Sequence, residues 1–397
     1  MKSDLPFIRE AKVKGKTVLA RVDFNVTVDE NDQIKDFTKI KENVETINYL
    51  LKAGATRIIL MSHRSTIKRN GTKEKPSFAP LVSQIEKVLK HKIVLLDPRD
   101  LEGAKARIAE NGTQLFLFDN TRLHPAESGA DTFYGKQLAA LADVFIYEAF
   151  ASYRPETTTV VIPRYLPTYI GFTMAQEIDQ LSSIFSKPKG PVVCIIGGAK
   201  TEVKVGIVRR FLQSADTVIL GGGVANTFLH GWGIYMGASL VDTDMVNVAR
   251  ELLWLALHSR VALELPNDFI VSRVGTGNSV RSVLHTEITP EYGAFDIGPV
   301  TQMRYKALIK SAGTVVWNGP MGLFEREEFS GGTNAILDAI VKTEAKTIVG
   351  GGDTITALPQ SKRSKIDHIS TGGGAMLVFL ESGTTPPIEA IRKYNKK

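Results

Sequence analysis

The sequence predicts an α/β protein with two domains, each a parallel sheet flanked by helices, on three observations. Short β-branched runs alternate with helical patterns from end to end, the signature of strand–helix–strand units. The alternation is interrupted once, by a Thr- and Pro-rich stretch at 151–171, and restarts at residue 192. A chain of 397 residues is also long enough for more than one core, at a norm of ~150 residues per domain.

The elements follow in order. A strand is expected at 17–22, then a polar loop from 23 to 37. A helix at 39–53 follows, with Ile40, Val44, Ile47 and Leu51 near helical spacing. Strands come next at 57–61 and near 93–96, 115–118 and 144–147. The stretch 151–171 reads as a loop crossing a domain boundary. A helix over 174–185 ends at the Lys187–Pro191 breaker. The second half then supplies strands at 192–196, 217–220, 314–317, 347–349 and 368–371. The division expected is one domain at 1–173 and another at 174–376.

Composition narrows the function classes. Hydrophobic residues are 43% and charged residues 23%, which excludes whole-chain disorder and coiled coil. The one cysteine, Cys194, allows no internal disulfide and no cysteine-based metal site. No apolar run reaches the ~20 residues of a membrane span and no signal-peptide core is visible, so a cytoplasmic protein with no membrane partner is expected. Lys and Arg number 49 against 42 Asp and Glu, a net charge of +7. Residues 51–100 carry 11 basic and 4 acidic side chains. That excess suits nucleic acid or phosphorylated small molecules. The segment has no interleaved aromatics, so no nucleic-acid partner is expected.

Five strands of the second half run straight into glycine: Gly197-Gly198-Ala199-Lys200, Gly221-Gly222-Gly223, Asn318-Gly319-Pro320, Gly350-Gly351-Gly352-Asp353 and Gly372-Gly373-Gly374. Glycine there lets a ligand approach the backbone, and a following helix offers free N–H groups to phosphate. One such turn reflects local geometry as readily as function. Five in one domain point to a nucleotide or phosphate site along one sheet edge. Gly15-Lys16-Thr17 is a decoy, since residue 10 is Glu and the string precedes a strand instead of following one.

Lys200 and Lys204 are four apart at an expected helix start, so both ammoniums would point along one face toward a phosphate chain. Asp353 either holds a divalent cation or caps a helix. Glu325 either binds ribose hydroxyls or is a surface carboxylate.

These strings, with Arg21-Val22-Asp23-Phe24-Asn25-Val26, Met61-Ser62-His63, Asp119-Asn120-Thr121-Arg122-Leu123-His124, Asp296-Ile297-Gly298-Pro299 and Trp317 to Glu325, resemble the phosphoglycerate kinase family, in family order and over nearly the full chain. The resemblance implies two Rossmann-like domains facing a central cleft with a hinge between them, and a final segment at 377–397 returning to the N-terminal domain. It also implies a monomer that moves a phosphoryl group reversibly between MgATP or MgADP and 3-phosphoglycerate or 1,3-bisphosphoglycerate. By motif position, Asp23 and Asn25 would contact the acid's hydroxyl and carboxylate region, and His63 and Arg122 its phosphate. Lys200 and Lys204 would neutralise the nucleotide phosphates and the moving group, to which Gly373 and Gly374 would offer N–H groups. Asp353 would position Mg2+ and Glu325 the ribose. Gly198, Ala199, Gly222, Gly223, Asn318, Pro320, Gly351, Gly352 and Thr354 would complete the nucleotide site.

The N-terminal pocket departs from the family strings. A family arginine is replaced in Lys39-Ile40-Lys41, and His-Leu-Gly-Arg-Pro becomes His63-Arg64-Ser65-Thr66-Ile67. Residues 151–157 lack both family histidines. A pocket rebuilt with Lys39, Arg64 and Arg154 is expected. The alternative is a nucleotide-binding paralogue that acts on a different acid or regulates without catalysis.

Overall fold

The computed structural model describes residues 4–69, 72–110, 112, 114–275 and 279–395. Contacts divide the chain into two units, Met1–Asp179 with Thr384–Lys397, and Gln180–Gly383. The first unit contains β1 (Thr17–Arg21), β2 (Arg57–Met61), a hairpin of β3 (Ile67–Arg69) and β4 (Thr72–Glu74), β5 (Val94–Leu96), β6 (Leu115–Phe118), β7 (Val144–Tyr147) and β8 (Thr168–Ile170). Six of these form a parallel sheet in the order β5-β6-β2-β1-β7-β8. The central strands are buried along almost their whole length, which is why they read as continuous apolar runs. Arg21 lies opposite both Met61 and Tyr147. That register brings the residues after β1 and β2, Asp23 and His63 among them, out at the same sheet edge.

Two local expectations are corrected. The helix expected at 39–53 is two pieces, Thr38–Glu42 and Val44–Lys52. Between them the buried Asn43 side chain donates to the Lys39 carbonyl at 2.6 Å, a side-chain bond that competes with the helical ladder. The stretch 151–171 is not a loop between domains. It forms the turns Thr157–Val161 and Ile162–Arg164 and then edge strand β8, all within the first unit. Its threonines are buried, with hydroxyls donating to Ala126 O (Thr157, 2.7 Å), Glu127 Oε1 (Thr158, 2.5 Å) and Arg154 O (Thr159, 2.7 Å). Turn-like composition here serves internal bonding.

The next helix, Phe172–Ser186, starts two residues before the expected 174. Buried Glu148 sets its beginning by accepting from Thr173 N (3.0 Å) and Met174 N (3.1 Å). The unit boundary falls inside this helix, at 179/180 rather than 173. At the other end, helix Gly374–Ser382 lies in the second unit and helix Pro386–Tyr394 in the first. There Arg392 grips Asp4 with Nε and Nη2 (2.9 and 3.0 Å) and Asn395 donates to Thr168 O (2.7 Å).

The second unit has β9 (Val192–Ile196), β10 (Thr217–Leu220), β11 (Ala262–Glu264), β12 (Asp268–Arg273), β13 (Arg281–Leu284), β14 (Tyr292–Ile297), β15 (Thr314–Asn318), β16 (Lys346–Gly350) and β17 (His368–Ser370). Its main sheet is parallel in the order β11-β10-β9-β15-β16-β17. A second, antiparallel sheet β13-β12-β14 was not expected from the strand–helix alternation. Trp317, Tyr305, Ile336 and Val349 are among the side chains of the core behind β15 and β16. Among the described residues, no helix is long and apolar enough to cross a membrane.

Candidate functional site

Register builds the first site. Leu220, Ile196, Asn318, Gly350 and Ser370 lie side by side across five strands. All five glycine turns therefore leave the sheet at one level, as carboxyl ends of parallel strands do where they bind ligands. The turns are stitched to one another: Gly197 N donates to Asn318 O (2.9 Å), Gly198 N to Pro320 O (2.7 Å) and Gly222 N to Met321 O (3.0 Å). Asn318 Nδ2 reaches Gly350 O at 3.0 Å, and Gly319 N donates to buried Thr354 Oγ1 at 2.7 Å. Gly319 requires glycine, because its φ is +95° and a Cβ would collide with Gly197 O and Lys204 Nζ.

Lys204 is buried at this edge, with Nζ donating to the Gly197 carbonyl. Lys200 is exposed on the loop after β9. The shared helix face expected for the pair does not exist, since the helix begins only at Val205 with Lys204 as its N-cap. Burial lowers the Lys204 pKa to about 8, and Asp353 partly offsets the effect. The folded value lies below the unfolded 10.5, so the penalty of burying the ammonium is relieved as pH rises from about 8 to about 10.5. If that ammonium attracts nucleotide phosphates, MgADP affinity is expected to weaken as pH climbs from about 7 to about 9, with proton uptake on binding. Calorimetry across that range checks it; a flat profile would remove Lys204 from the phosphate site.

Asp353 is exposed in the first turn of the short helix Gly352–Thr356, whose N-cap is Gly351. The helix-capping alternative for Asp353 therefore does not hold. Gly373, with φ +54°, is the N-cap of Gly374–Ser382. A cavity of about 230 Å³ opens beside these turns, lined by Gly198, Ala199, Gly222, Gly223, Pro320, Glu325 and Asp353. Its apolar wall comes from Leu240, Phe269, Phe295, Met321, Leu323 and Phe324. Sequence reading missed that wall, because Phe269 and Phe295 belong to the unexpected antiparallel strands. It also missed the wall residue Asp296, although its string was noted. Buried Asp296 accepts from Gly332 N (2.6 Å) and Ile297 N (2.9 Å), and burial raises its pKa to about 7.

The first unit gathers a second, cationic cluster. Asp23 Oδ2 accepts from Lys39 Nζ at 2.8 Å, and Oδ1 accepts from Asn25 N at 3.0 Å. Asn25 exchanges two bonds with Ser65 (2.8 and 3.0 Å). His63 is buried and its Nδ1 lies 3.1 Å from Arg21 Nη2. A guanidinium only donates, so Nδ1 accepts and Nε2 carries the ring proton. Burial first, then the charges of Arg21, Arg122, Lys39 and Arg154, lower the His63 pKa to about 2, leaving a neutral donor. Exposed Arg154 and half-buried Arg122 thus share His63's surroundings. Arg64 is turned elsewhere: buried, it donates to Ser77 O, lies 3.9 Å from Asp32 and covers the Phe78 ring. Sequence reading missed Arg21, which lies inside the apolar strand expected at 17–22.

The family model described as phosphoglycerate kinase matches residues 8–383. A phosphoglycerate kinase of Moorella thermoacetica is 40% identical over 390 residues, covering 97% of this chain and 98% of its own. One from Pelotomaculum thermopropionicum is 39% identical over 388 residues, with the same coverage. The phosphoglycerate kinase structure from Coxiella burnetii superposes with a TM-score of 0.86 at 31% identity, over 99% of this chain and 100% of that one. That from Pyrococcus horikoshii gives 0.84 at 28%, with the same coverage. Because the match runs through both units and includes both clusters, the chain belongs to the phosphoglycerate kinase family and is a glycolytic phosphotransferase of that type.

Proposed function

We propose that residues 180–383 hold ATP or ADP and that the cationic cluster of the first unit holds 3-phosphoglycerate. A phosphoryl group passes reversibly between nucleotide and substrate carboxylate, giving 1,3-bisphosphoglycerate in the kinase direction. The observation that carries this reading is the line of five glycine turns, with buried Lys204 set among them. Transfer of this kind needs positioning and charge neutralisation more than covalent help. Lys204 supplies charge to the moving group and Lys200 to the phosphate chain. The N–H groups of Gly373 and Gly374 face the same group from a helix start. Glu325 takes the ribose, and the apolar wall receives the base. In the first unit, Asp23 and Asn25 meet the acid's hydroxyl and carboxylate region, with Lys39 between that carboxylate and the phosphoryl group. His63 donates through Nε2, and Arg122 and Arg154 take the phosphate. The same reading takes the enzyme as monomeric and cytoplasmic.

Magnesium fits Asp353 as a partner of bound nucleotide. Among the described residues no group of three or more His, Cys, Asp or Glu is placed to hold a metal by itself. One exposed carboxylate beside a phosphate site suits an ion that keeps phosphate and water ligands. When bound, it would neutralise phosphate charge. Asp353→Ala is expected to weaken MgADP binding at least ~10-fold by calorimetry, the loss of one charge-assisted contact. Equal affinity for variant and parent would remove Asp353 from the metal role.

A further inference from the structure

Glu156 has no place in the reaction as assigned, yet it lies within the acid cluster. Its Oε1 accepts from Arg122 Nε at 2.8 Å and Arg122 Nη2 at 2.7 Å, and its Oε2 is 3.9 Å from Arg21 Nη2. The Glu156 side chain is only 8% exposed, whereas that of Arg122 is 22% exposed. The carboxylate is held from its own backbone, because Glu156 N donates to Thr159 Oγ1 (2.9 Å) and Thr159 N returns a bond to Glu156 O (3.0 Å). Lys39 is paired in the same way with Asp23. Beneath Arg21, Thr158 links the Arg21 Nε (2.9 Å) to buried Glu127 (2.5 Å). Arg21, Arg122, Lys39 and Arg154 thus surround His63, with the carboxylates of Glu156 and Asp23 among them and buried Glu127 behind Arg21.

We propose that Glu156 is a built-in anion that competes with the substrate's phosphate for Arg122, and so sets how tightly the pocket holds a dianionic acid. The proposal rests on the reading of this cluster as the acid site. A phosphate arriving at Arg122 exchanges one carboxylate contact for its own, so binding reports the difference between the two. Repulsion by the remaining buried carboxylate falls most heavily on the most highly charged ligand. Glutamine at this position keeps an acceptor oxygen for Arg122 and deletes the competing charge.

The test is calorimetry on the full chain at fixed ionic strength, with inorganic phosphate and with 3-phosphoglycerate as separate probes. Glu156→Gln is expected to bind both roughly 10-fold more tightly than the parent, the scale of one charged contact. Adding Arg122→Gln to that variant should abolish the gain, which a general change in folding would not do. Should Glu156→Gln be too unstable to titrate, Glu156→Asp, whose shorter side chain draws the charge away from Arg122, is expected to show a smaller gain in the same direction. Parental or weaker affinity for inorganic phosphate in a folded variant overturns the proposal, even if 3-phosphoglycerate binds the parent well. Tighter phosphate binding in Glu156→Gln, with no binding of 3-phosphoglycerate to either protein, upholds the role of Glu156 and overturns the choice of acid.

Discussion

Lys204→Met is expected to lower kcat at least ~100-fold, the cost of removing one preorganised donor from the transition state. Methionine fills the space of the buried stem but carries neither charge nor donor. The Lys204 ammonium is enclosed by the turns after β9 and β15: it bonds Gly197 O, and a Cβ at Gly198 or Gly319 would run into it. A group so fixed cannot be replaced by a neighbour, and exposed Lys200 is free of that enclosure. Because the contact matters most as charge spreads over the moving phosphoryl oxygens, kcat and kcat/KM should fall together. Stability should not fall with them. Burial already pulls the Lys204 pKa down to about 8, so the charge opposes folding at neutral pH, and its removal should hold or raise Tm. Steady-state kinetics beside a thermal melt check both signs. A variant with parental kcat would place the catalytic cation elsewhere.

Lys39→Ala is the second large effect, at least ~100-fold in kcat. Its ammonium is 2.8 Å from Asp23 Oδ2, with the side chain 27% exposed, so it is anchored yet reachable by ligand. Lys39→Arg should keep substantial activity, because length and charge survive although the fork must find new geometry. Alanine also strips buried Asp23 of its cation, so some loss of Tm is expected alongside the kinetic loss. The pair of variants separates the roles. Low kcat in alanine with recovery in arginine marks a charge requirement. Parental turnover in alanine would show that another basic residue does the work.

Much of this molecule was legible in its sequence, for identifiable reasons. Buried parallel strands such as β9 and β10 are continuous apolar runs, and the glycines after them are demanded by backbone proximity, so both left marks. The antiparallel strands β12 and β14 left less: Asp268 opens β12 and a glycine sits inside β14. The apolar wall they supply went unseen with them. The region 151–171 misled because its threonines, buried in the fold, stand beside prolines and so have the composition of a surface loop. In the first unit, residue types suggested a basic pocket, but pairing decided its charge. Nothing in the string around Glu156 signals that it meets Arg122, 34 positions away in sequence, and Arg64 looked available while the fold commits it to Ser77 and Phe78.

The most direct measurement is steady-state turnover of the full chain with 3-phosphoglycerate and MgATP, run beside calorimetric binding of MgATP to the same preparation. The assignment predicts rates that saturate in both substrates, and a drop of at least ~100-fold in kcat for Lys39→Ala and Lys204→Met. MgATP binding with no turnover of 3-phosphoglycerate would contradict it, leaving a nucleotide-binding protein whose acid is another molecule or none.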